Sequence, residues 1–420
     1  MRIGGVGFTP PAYANPKRTG DPRIGMVADP TDPLVILGAG YAGLTVAHEV
    51  YRRSRGRIPI VLVDRSPAHI LRTELYQIGE LAAARDTARW TVPLAETFDR
   101  TTVRTVQATV ASIDLAERTV TLDSGPLKFR ALAICLGSTA AYYGVPGAAE
   151  QTHQIYRFSG ALRLAEALRA TESASARLPG ERRPRVIVIG GGSTGTELAA
   201  EIATTDWSQI VEPGARPPDV VLLTGSLPFL VGLPPKVVER ARTVLARAGV
   251  AIVHGLNVTR VEPGRVSIED GSVLACDLAI WCAGLEAPPV VRSLPVPHGR
   301  GGRLAVELTL MLPGYPGVAA VGDVIELKDP TTGAAVPGTA QAALAEARVA
   351  AANLVAEWKG APLTPFVYRE RGVIVALGTG EGAGALRHLT IWGSPAAILK
   401  RAVQRDYARS VERGSPPTLI

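Results

Sequence analysis

Two glycine-rich phrases carry the chemistry legible in this chain. VILGAGYAGL (residues 35–44) and VIVIGGGSTG (186–195) each hold Gly-x-Gly-x-x-Gly. The glycines are Gly38, Gly40 and Gly43 in the first, and Gly190, Gly192 and Gly195 in the second. Each phrase leaves an apolar, β-rich run and enters an apolar, helix-forming stretch. The first glycine permits the tight turn out of the strand. The second lets backbone approach a pyrophosphate, and the third lets the new helix pack close with its N–H groups facing the anion. One such phrase alone is weak, because glycine-rich turns are common; two in strand-and-helix context imply two dinucleotide pockets.

What each pocket holds depends on the strand that follows. After the first phrase the strand IPIVLVD ends at Asp64, a carboxylate able to accept from a ribose 2′-hydroxyl, with Arg65 next to it. The bland alternative is a solvated acid at a strand end. After the second phrase DVVLLT ends at Thr224, with Gly225 and Ser226 following. An acid there would favour NADH and repel a 2′-phosphate. Its absence removes that discrimination, and no adjacent Arg selects NADPH, so the second cofactor is read as NAD(P)H.

The elements that position these turns follow from pattern. Residues 32–65 read strand, glycine turn, helix, strand, and 66–100 are mixed. Residues 103–125 alternate like an antiparallel meander or hairpin, and 127–138 read as a strand closing back on a core. A helix is expected at 160–171 with a loop over 172–184. Residues 242–284 repeat the hairpin-then-buried-strand order of 103–138, an internal repeat of roughly 150 residues. A strand, a turn and VAAVGD fill 304–325, a helix spans about 339–359, and the tail has YRERGVIVALG followed by a basic helix. The fold class is α/β, with two Rossmann-like, doubly wound parallel sheets. The second unit (151–309) is inserted in the first (32–150 plus 310–365), a leader occupies 1–31, and 366–420 form a C-terminal segment.

Composition narrows the class. At 420 residues the chain accommodates two or three domains. Lys and Arg number 45 against 38 Asp and Glu, a formal charge of +7 that suits an anionic partner such as nucleotide phosphates or a membrane surface. No basic run with interleaved aromatics marks nucleic-acid binding. The three cysteines, Cys135, Cys276 and Cys282, form neither a metal site nor a Cys-x-x-Cys motif. Few cysteines and the lack of an apolar signal region fit a reducing cytoplasm. The leader is Pro/Gly-rich and reads as disordered, with Met26 an alternative start. No stretch is apolar for about 18 residues, so no spanning helix is expected.

In its phrases the chain resembles the two-dinucleotide-domain flavoproteins, specifically the type II NADH dehydrogenases, from about Leu34 to about Gln404. Besides the two glycine phrases, the likeness rests on LYQIGELA (75–82) with VPLAE (92–96), LAICLGS (132–138), AIWCAG (279–284), VAAVGD (318–323) and PGTAQAALAEA (337–347). The resemblance implies FAD against Gly38, Gly40, Tyr41, Ala42, Gly43, Asp64, Arg65, Gly137, Gly322, Asp323 and Ala340, with Asp323 on the ribityl chain. It implies NAD(P)H against Gly190, Gly192, Ser193, Gly195, Thr224 and Gly284. Glu197 stands at the family's glutamate near the nicotinamide, where it would orient the ring or relay a proton; otherwise it is a first-turn carboxylate meeting the helix dipole. Gln341 would hydrogen-bond an acceptor's carbonyl, or else serve as a cap or surface residue. Ala345 replaces the family's second glutamine in that phrase, and the tail is short, so the acceptor side departs from the pattern.

The implied reaction is a relay from NAD(P)H through flavin to a quinone or other acceptor. Disulfide reductases on this fold place a Cys pair shortly after the first strands, and 66–100 contain none. Cys135 and Cys282 read as apolar fillers at matching strand ends. In the tail, Leu399, Val403, Tyr407 and Val411 line one helical face, and Arg401, Arg405 and Arg409 another. That helix either lies on an anionic membrane, at the inner face of the cytoplasmic membrane, or docks on its own protein. A soluble reductase for a ferredoxin-like or small-molecule acceptor, and a slow redox sensor, are the alternatives. A homodimer fits the architecture.

Overall fold

The computed structural model describes positions 29, 31–176, 183–213, 215–330, 332–387 and 389–415. The leader expected over 1–31, except positions 29 and 31, and part of the loop expected over 172–184 lie outside the described residues. Five strands make the first sheet in the order Val318–Ala320, Ala131–Ile134, Leu34–Leu37, Ile60–Asp64, Val103–Gln107, every neighbouring pair parallel. The second sheet has four, Ala251–Val253, Asp219–Leu223, Arg185–Ile189 and Leu278–Trp281, again all parallel. Every residue of Leu34–Leu37, Ala131–Ile134 and Leu278–Trp281 is buried. Strands covered on both faces carry continuous apolar runs, which is how the sequence presents them. Helices flank both sheets; on the first, Tyr41–Ser54 packs along Ala340–Trp358. Two Rossmann-like sheets are thus what the chain builds.

Residues 103–107 depart from expectation. Val103–Gln107 is not the first arm of a hairpin but the edge of the first sheet, parallel to Ile60–Asp64. The meander proper is Val110–Asp114, Thr119–Leu122 and Gly125–Lys128. An edge strand keeps one face in solvent, so its alternation imitates that of a hairpin. The helix expected at 160–171 runs longer, Phe158–Ala176.

After the long helix the chain makes an antiparallel sheet of Val373–Ala376, Gly382–Leu386 and Leu389–Trp392, then the C-terminal helix Ser394–Glu412. The middle strand, GAGAL, carries no strand signal in the sequence, because glycine weakens strands. Its glycines serve close approach. A side chain at Gly382 would stand 3.0 Å from the Ala397 nitrogen, and one at Gly384 would overlap the Val373 carbonyl.

This C-terminal segment leans on both units. Val375, Ala376, Leu377 and Ala383 share a core with Val186 and Leu198 of the second unit, whereas Tyr407 and Val411 enter the core of the first. The helix's apolar stripe therefore faces inward. Tyr407 and Val411 are buried, Leu399 and Val403 half-buried, and Arg401, Arg405 and Arg409 exposed. Docking on its own protein accounts for the amphipathic pattern. Among the described residues no helix is long and apolar enough to cross a membrane.

Candidate functional site

The two glycine turns are built alike. Gly38 has φ +98° and Gly190 φ +124°, and a side chain at either would overlap the carbonyl of Cys135 or Cys282 respectively. L-residues are strained there even without the overlap. A side chain at Gly43 would overlap the Gly38 carbonyl, and one at Gly195 the Gly190 carbonyl. The middle glycines, Gly40 and Gly192, face open space. Each caps its helix in extended backbone without a side-chain cap, Tyr41–Ser54 in one case and Ser193–Thr204 in the other. Free N–H groups are thus left at an open approach, an arrangement suited to a pyrophosphate.

At the first turn Asp64 braces the loop. Its Oδ2 accepts from the Ala39 nitrogen (2.7 Å) and its Oδ1 from the Ser66 nitrogen (2.8 Å). A carboxylate has lone pairs left for a ribose hydroxyl. Three arginines gather nearby. The Arg157 guanidinium is held below its usual range by burial and by the charges of Arg65 and Arg72. Arg72 Nη1 lies 3.5 Å from where a Gly137 side chain would begin. None of the three has a carboxylate partner among the described residues. Mutually repelling cations that make no ion pair fit an anionic group such as the pyrophosphate of FAD.

The far end of that pocket forms where the glycine helix meets Val318–Ala320. Asp323 Oδ2 accepts from Ser138 Oγ (2.9 Å), and the Asp323 carbonyl accepts from Arg303 Nε (3.1 Å). The Gly322 nitrogen donates to Glu346 Oε2 (2.7 Å), and burial pushes that carboxyl up to about 7. Ala42 approaches Gly322, with 3.3 Å from its Cβ to where a Gly322 side chain would begin. A cavity lined by Gly322, Asp323, Gly338, Thr339 and Arg303 opens beside them. Thr339 caps the long helix by accepting from the Ala342 nitrogen (3.2 Å), which sets Ala340 in its first turn.

Tyr41 turns the other way. It is buried, hydrogen-bonds Thr73 Oγ1 (2.8 Å) and stacks on Tyr407 with ring centroids 4.5 Å apart. His69 lies edge-on to Tyr41 and tilted against Tyr407. Its Nδ1 bonds the Ala39 carbonyl (2.8 Å) and its Nε2 the Tyr407 hydroxyl (3.0 Å). A carbonyl only accepts, so Nδ1 carries the proton and Nε2 accepts from Tyr407. Burial pushes this imidazole down to about 4, which keeps it neutral. The C-terminal helix is thereby hydrogen-bonded, through one ring, to the first glycine turn.

The same helix reaches the second unit through Lys400. Glu197 is buried, and its Oε1 accepts from the Ala376 nitrogen (3.0 Å) and from Lys400 Nζ. Lys400 also donates to the Ile374 carbonyl (3.0 Å) and sits 5.0 Å from the Tyr76 ring centroid. Glu201, one turn further along the same helix, is pushed up to about 7 by burial and by Glu80. Glu201, Tyr76, Gln77, Glu381 and Lys400 line a second cavity. Gln341 lies apart from Glu197 in the hydrogen-bond pattern. Its Nε2 donates to the Tyr368 hydroxyl (3.2 Å) and to Glu370 Oε1 (2.8 Å). Both amide hydrogens are in use, so Gln341 ties down the 368–370 segment, and donation to an acceptor requires exchange of one of these bonds.

At the remaining positions, Thr224 is buried with Oγ1 2.8 Å from His254 Nδ1. Gly284 (φ +159°) faces the hydroxyl of the exposed Tyr143. Cys135 and Cys282 are buried; burial raises both thiols, Cys282 to about 12. Sequence reasoning missed Arg72, Arg157, His69, His254 and Lys400. Lys400 had one signal: it is a rare lysine in an Arg-rich chain, on the apolar side of a helix beside Leu399.

Comparison with known proteins agrees with this geometry. The family model for pyridine nucleotide-disulphide oxidoreductases matches residues 32–347. An NADH dehydrogenase-like protein of Mycobacterium tuberculosis is 31% identical over 302 residues, covering 69% of this chain and 72% of its own. A type II NADH:quinone oxidoreductase of the same organism is 29% identical over 367 residues, covering 81% and 76%. The NADH-bound structure of NDH2 from Plasmodium falciparum superposes with a TM-score of 0.78 at 13% identity, covering 91% and 96%, which concerns the fold alone. With two Rossmann sheets, two open glycine turns and these relatives, the chain belongs to the pyridine nucleotide-disulphide oxidoreductase family, as an FAD-dependent, NAD(P)H-oxidising enzyme related to the type II NADH dehydrogenases.

Proposed function

We propose that this protein is an NAD(P)H:quinone oxidoreductase working at a membrane surface through its C-terminal segment. Residues 32–150 and 310–365 would form the FAD domain, 151–309 the NAD(P)H domain and 366–420 the acceptor side. Bound flavin would supply the chemistry, hydride acceptance from the nicotinamide and two-electron delivery to the acceptor. The chain's own residues bind, orient and supply protons. Gly38, Gly40, Gly43 and Asp64 hold one dinucleotide with Arg65 and Arg72 on its anionic part, and Asp323 with Ser138 holds the polyol chain. Gly190, Gly192, Ser193, Gly195 and Thr224 hold the other.

The observation that carries the reading is the Glu197–Lys400 joint. It places a buried carboxylate of the nucleotide helix against an ammonium of the C-terminal helix, beside the Tyr76–Glu201 cavity. Reducing a quinone to a quinol consumes two protons, and Glu201, held near neutral, is suited to give one up and regain it. The same segment exposes Leu389, Trp392 and Ile398, large apolar side chains of the kind that enter a lipid surface. These three, rather than the docked stripe of the helix, would meet the membrane. Several relatives are named for quinone chemistry, the type II NADH:quinone oxidoreductase among them.

The test is NADH and NADPH oxidation by FAD-loaded protein, with and without a short-chain quinone, with anaerobic flavin bleaching followed in parallel. Bleaching with fast quinone-dependent turnover is expected. Bleaching without quinone turnover would sink the quinone reading and leave a reductase for another acceptor, which Ala345 favours, or a slow redox sensor.

A further inference from the structure

Compare the strand ends beside the two glycine turns. In the first unit a carboxylate, Asp64, reaches the residue after the first glycine, Ala39. In the second unit the residue after the first glycine is Gly191, and a side chain there would lie 2.6 Å from the Thr224 Cβ. Thr224 therefore occupies the place that Asp64 occupies, and it brings a hydroxyl instead of an acid. That hydroxyl is 2.8 Å from Nδ1 of His254, an exposed residue at the end of the neighbouring parallel strand, Ala251–Val253. Exposed Ser226 follows, its nitrogen donating to Asn257 Oδ1 (3.1 Å). The carboxylate in this cluster is Glu269. Both its oxygens are taken by Asn257, one by the backbone nitrogen (2.9 Å) and one by Nδ2 (3.0 Å).

We infer that the second pocket prefers the 2′-phosphorylated coenzyme, NADPH, and that Thr224, Ser226 and His254 form its 2′-phosphate end. This rests on the second glycine turn holding the nicotinamide nucleotide. In Rossmann units the strand-end residue meets the adenosine ribose, where an acid accepts from a 2′-hydroxyl and repels a 2′-phosphate. Here the group in that place is a hydroxyl, which can donate where an ionised acid cannot. The Thr224 hydroxyl also lies 3.5 Å from the Val253 carbonyl. A 2′-phosphate would take its proton in exchange for that long contact while His254 Nδ1–H donates to the Thr224 oxygen, and an imidazolium drawn to the phosphate would add Nε2–H as a charge-assisted donor. Ser226 adds a hydroxyl. The acid of the cluster, Glu269, is bound to Asn257 and does not stand at the strand end that Thr224 occupies.

The test uses the full-length, FAD-loaded protein and two ligands that differ only by the phosphate in question, 2′,5′-ADP and 5′-AMP, in isothermal titration calorimetry. Binding of 2′,5′-ADP about ten-fold tighter or more is expected, as one or two charge-assisted bonds would give. His254→Ala should remove most of that advantage and leave 5′-AMP affinity unchanged, whereas His254→Arg should keep it. Thr224→Glu should reverse the preference. Equal or tighter binding of 5′-AMP by the unaltered protein would overturn the proposal while leaving the pocket assignment standing. A His254→Ala variant that weakens both ligands alike would also overturn it, since the histidine would then be supporting the fold. Binding of neither ligand would overturn the proposal and the pocket assignment together.

Discussion

The two glycine turns share a backbone but not their surroundings, and the difference separates what the motif requires from what each nucleotide requires. Gly38 and Gly190, Cys135 and Cys282, and Gly43 and Gly195 correspond position for position. What the turn needs is set by backbone closeness and repeats. The strand end does not repeat: an acid braces the first turn and a hydroxyl paired with a histidine stands at the second. The C-terminal helix does not treat them alike either. It touches the first turn through a neutral hydrogen-bond chain, Tyr407 to His69 to Ala39, and the second unit through an ion pair, Lys400 to Glu197.

The largest effects test the shared part. Gly190→Ala should weaken NAD(P)H binding on the order of 100-fold through strain and overlap with the Cys282 carbonyl, while flavin stays bound. Gly38→Ala should do the converse, with flavin lost on gel filtration. If either substitution emptied both pockets equally, the turns would not be independent sites.

Next comes the ion pair. Lys400→Met leaves the Glu197 carboxylate buried without its cation, at an expected cost of about 3 kcal/mol in chemical denaturation. Glu197→Gln in the same chain should recover part of that loss, because the stranded charge is gone. If Lys400→Met were neutral, the second contact would be no stronger than a surface pair.

The neutral contact should matter less. Tyr407→Phe leaves His69 Nε2 buried and unpaired, at about 1–2 kcal/mol. Thermal unfolding should register this, together with faster flavin release, since Ala39 is in the first turn. Loss of nicotinamide affinity instead would invert the comparison.

A pH profile sharpens it further. Burial and Glu80 raise Glu201 to about 7, so the folded chain holds this proton more tightly than the unfolded one. Such a carboxyl favours the fold at low pH, and its contribution is lost as pH climbs from the ordinary carboxylate range through about 7. Stability should fall by about 1–2 kcal/mol between pH 5 and 8, the part-exposed position reducing the effect. Glu201→Gln should remove that part of the fall and leave the part due to Glu346, raised to the same range. The smallest effect on stability is expected at the exposed face: Leu389, Trp392 and Ile398 to Ser should change it by about 0.5 kcal/mol or less. The same change should abolish sedimentation with anionic vesicles.

Much of the frame was legible in the sequence because it is local. The glycine spacing, the Asp64 strand end and the helix from Ala340, capped by Thr339, lie within single stretches. The rest depends on chain segments meeting from afar. Lys400 finds Glu197 across 203 positions, and Arg157 joins Arg65 and Arg72 from another element. Val103–Gln107 misled because an edge strand and a hairpin arm alternate alike. Gly382–Leu386 was missed because its glycines answer to close approach, Gly382 to the helix and Gly384 to the neighbouring strand, not to strand preference.

The matched cysteines have a consequence for survival under oxygen. Reduced flavoproteins leak electrons to dioxygen and so manufacture peroxide beside their own backbone. Peroxide attacks thiolates, not thiols. Cys135 and Cys282 sit against the glycine turns, but burial keeps both sulfurs protonated. The chain thus carries small, polarizable side chains against both glycine turns, in the chemical form least able to be damaged by peroxide.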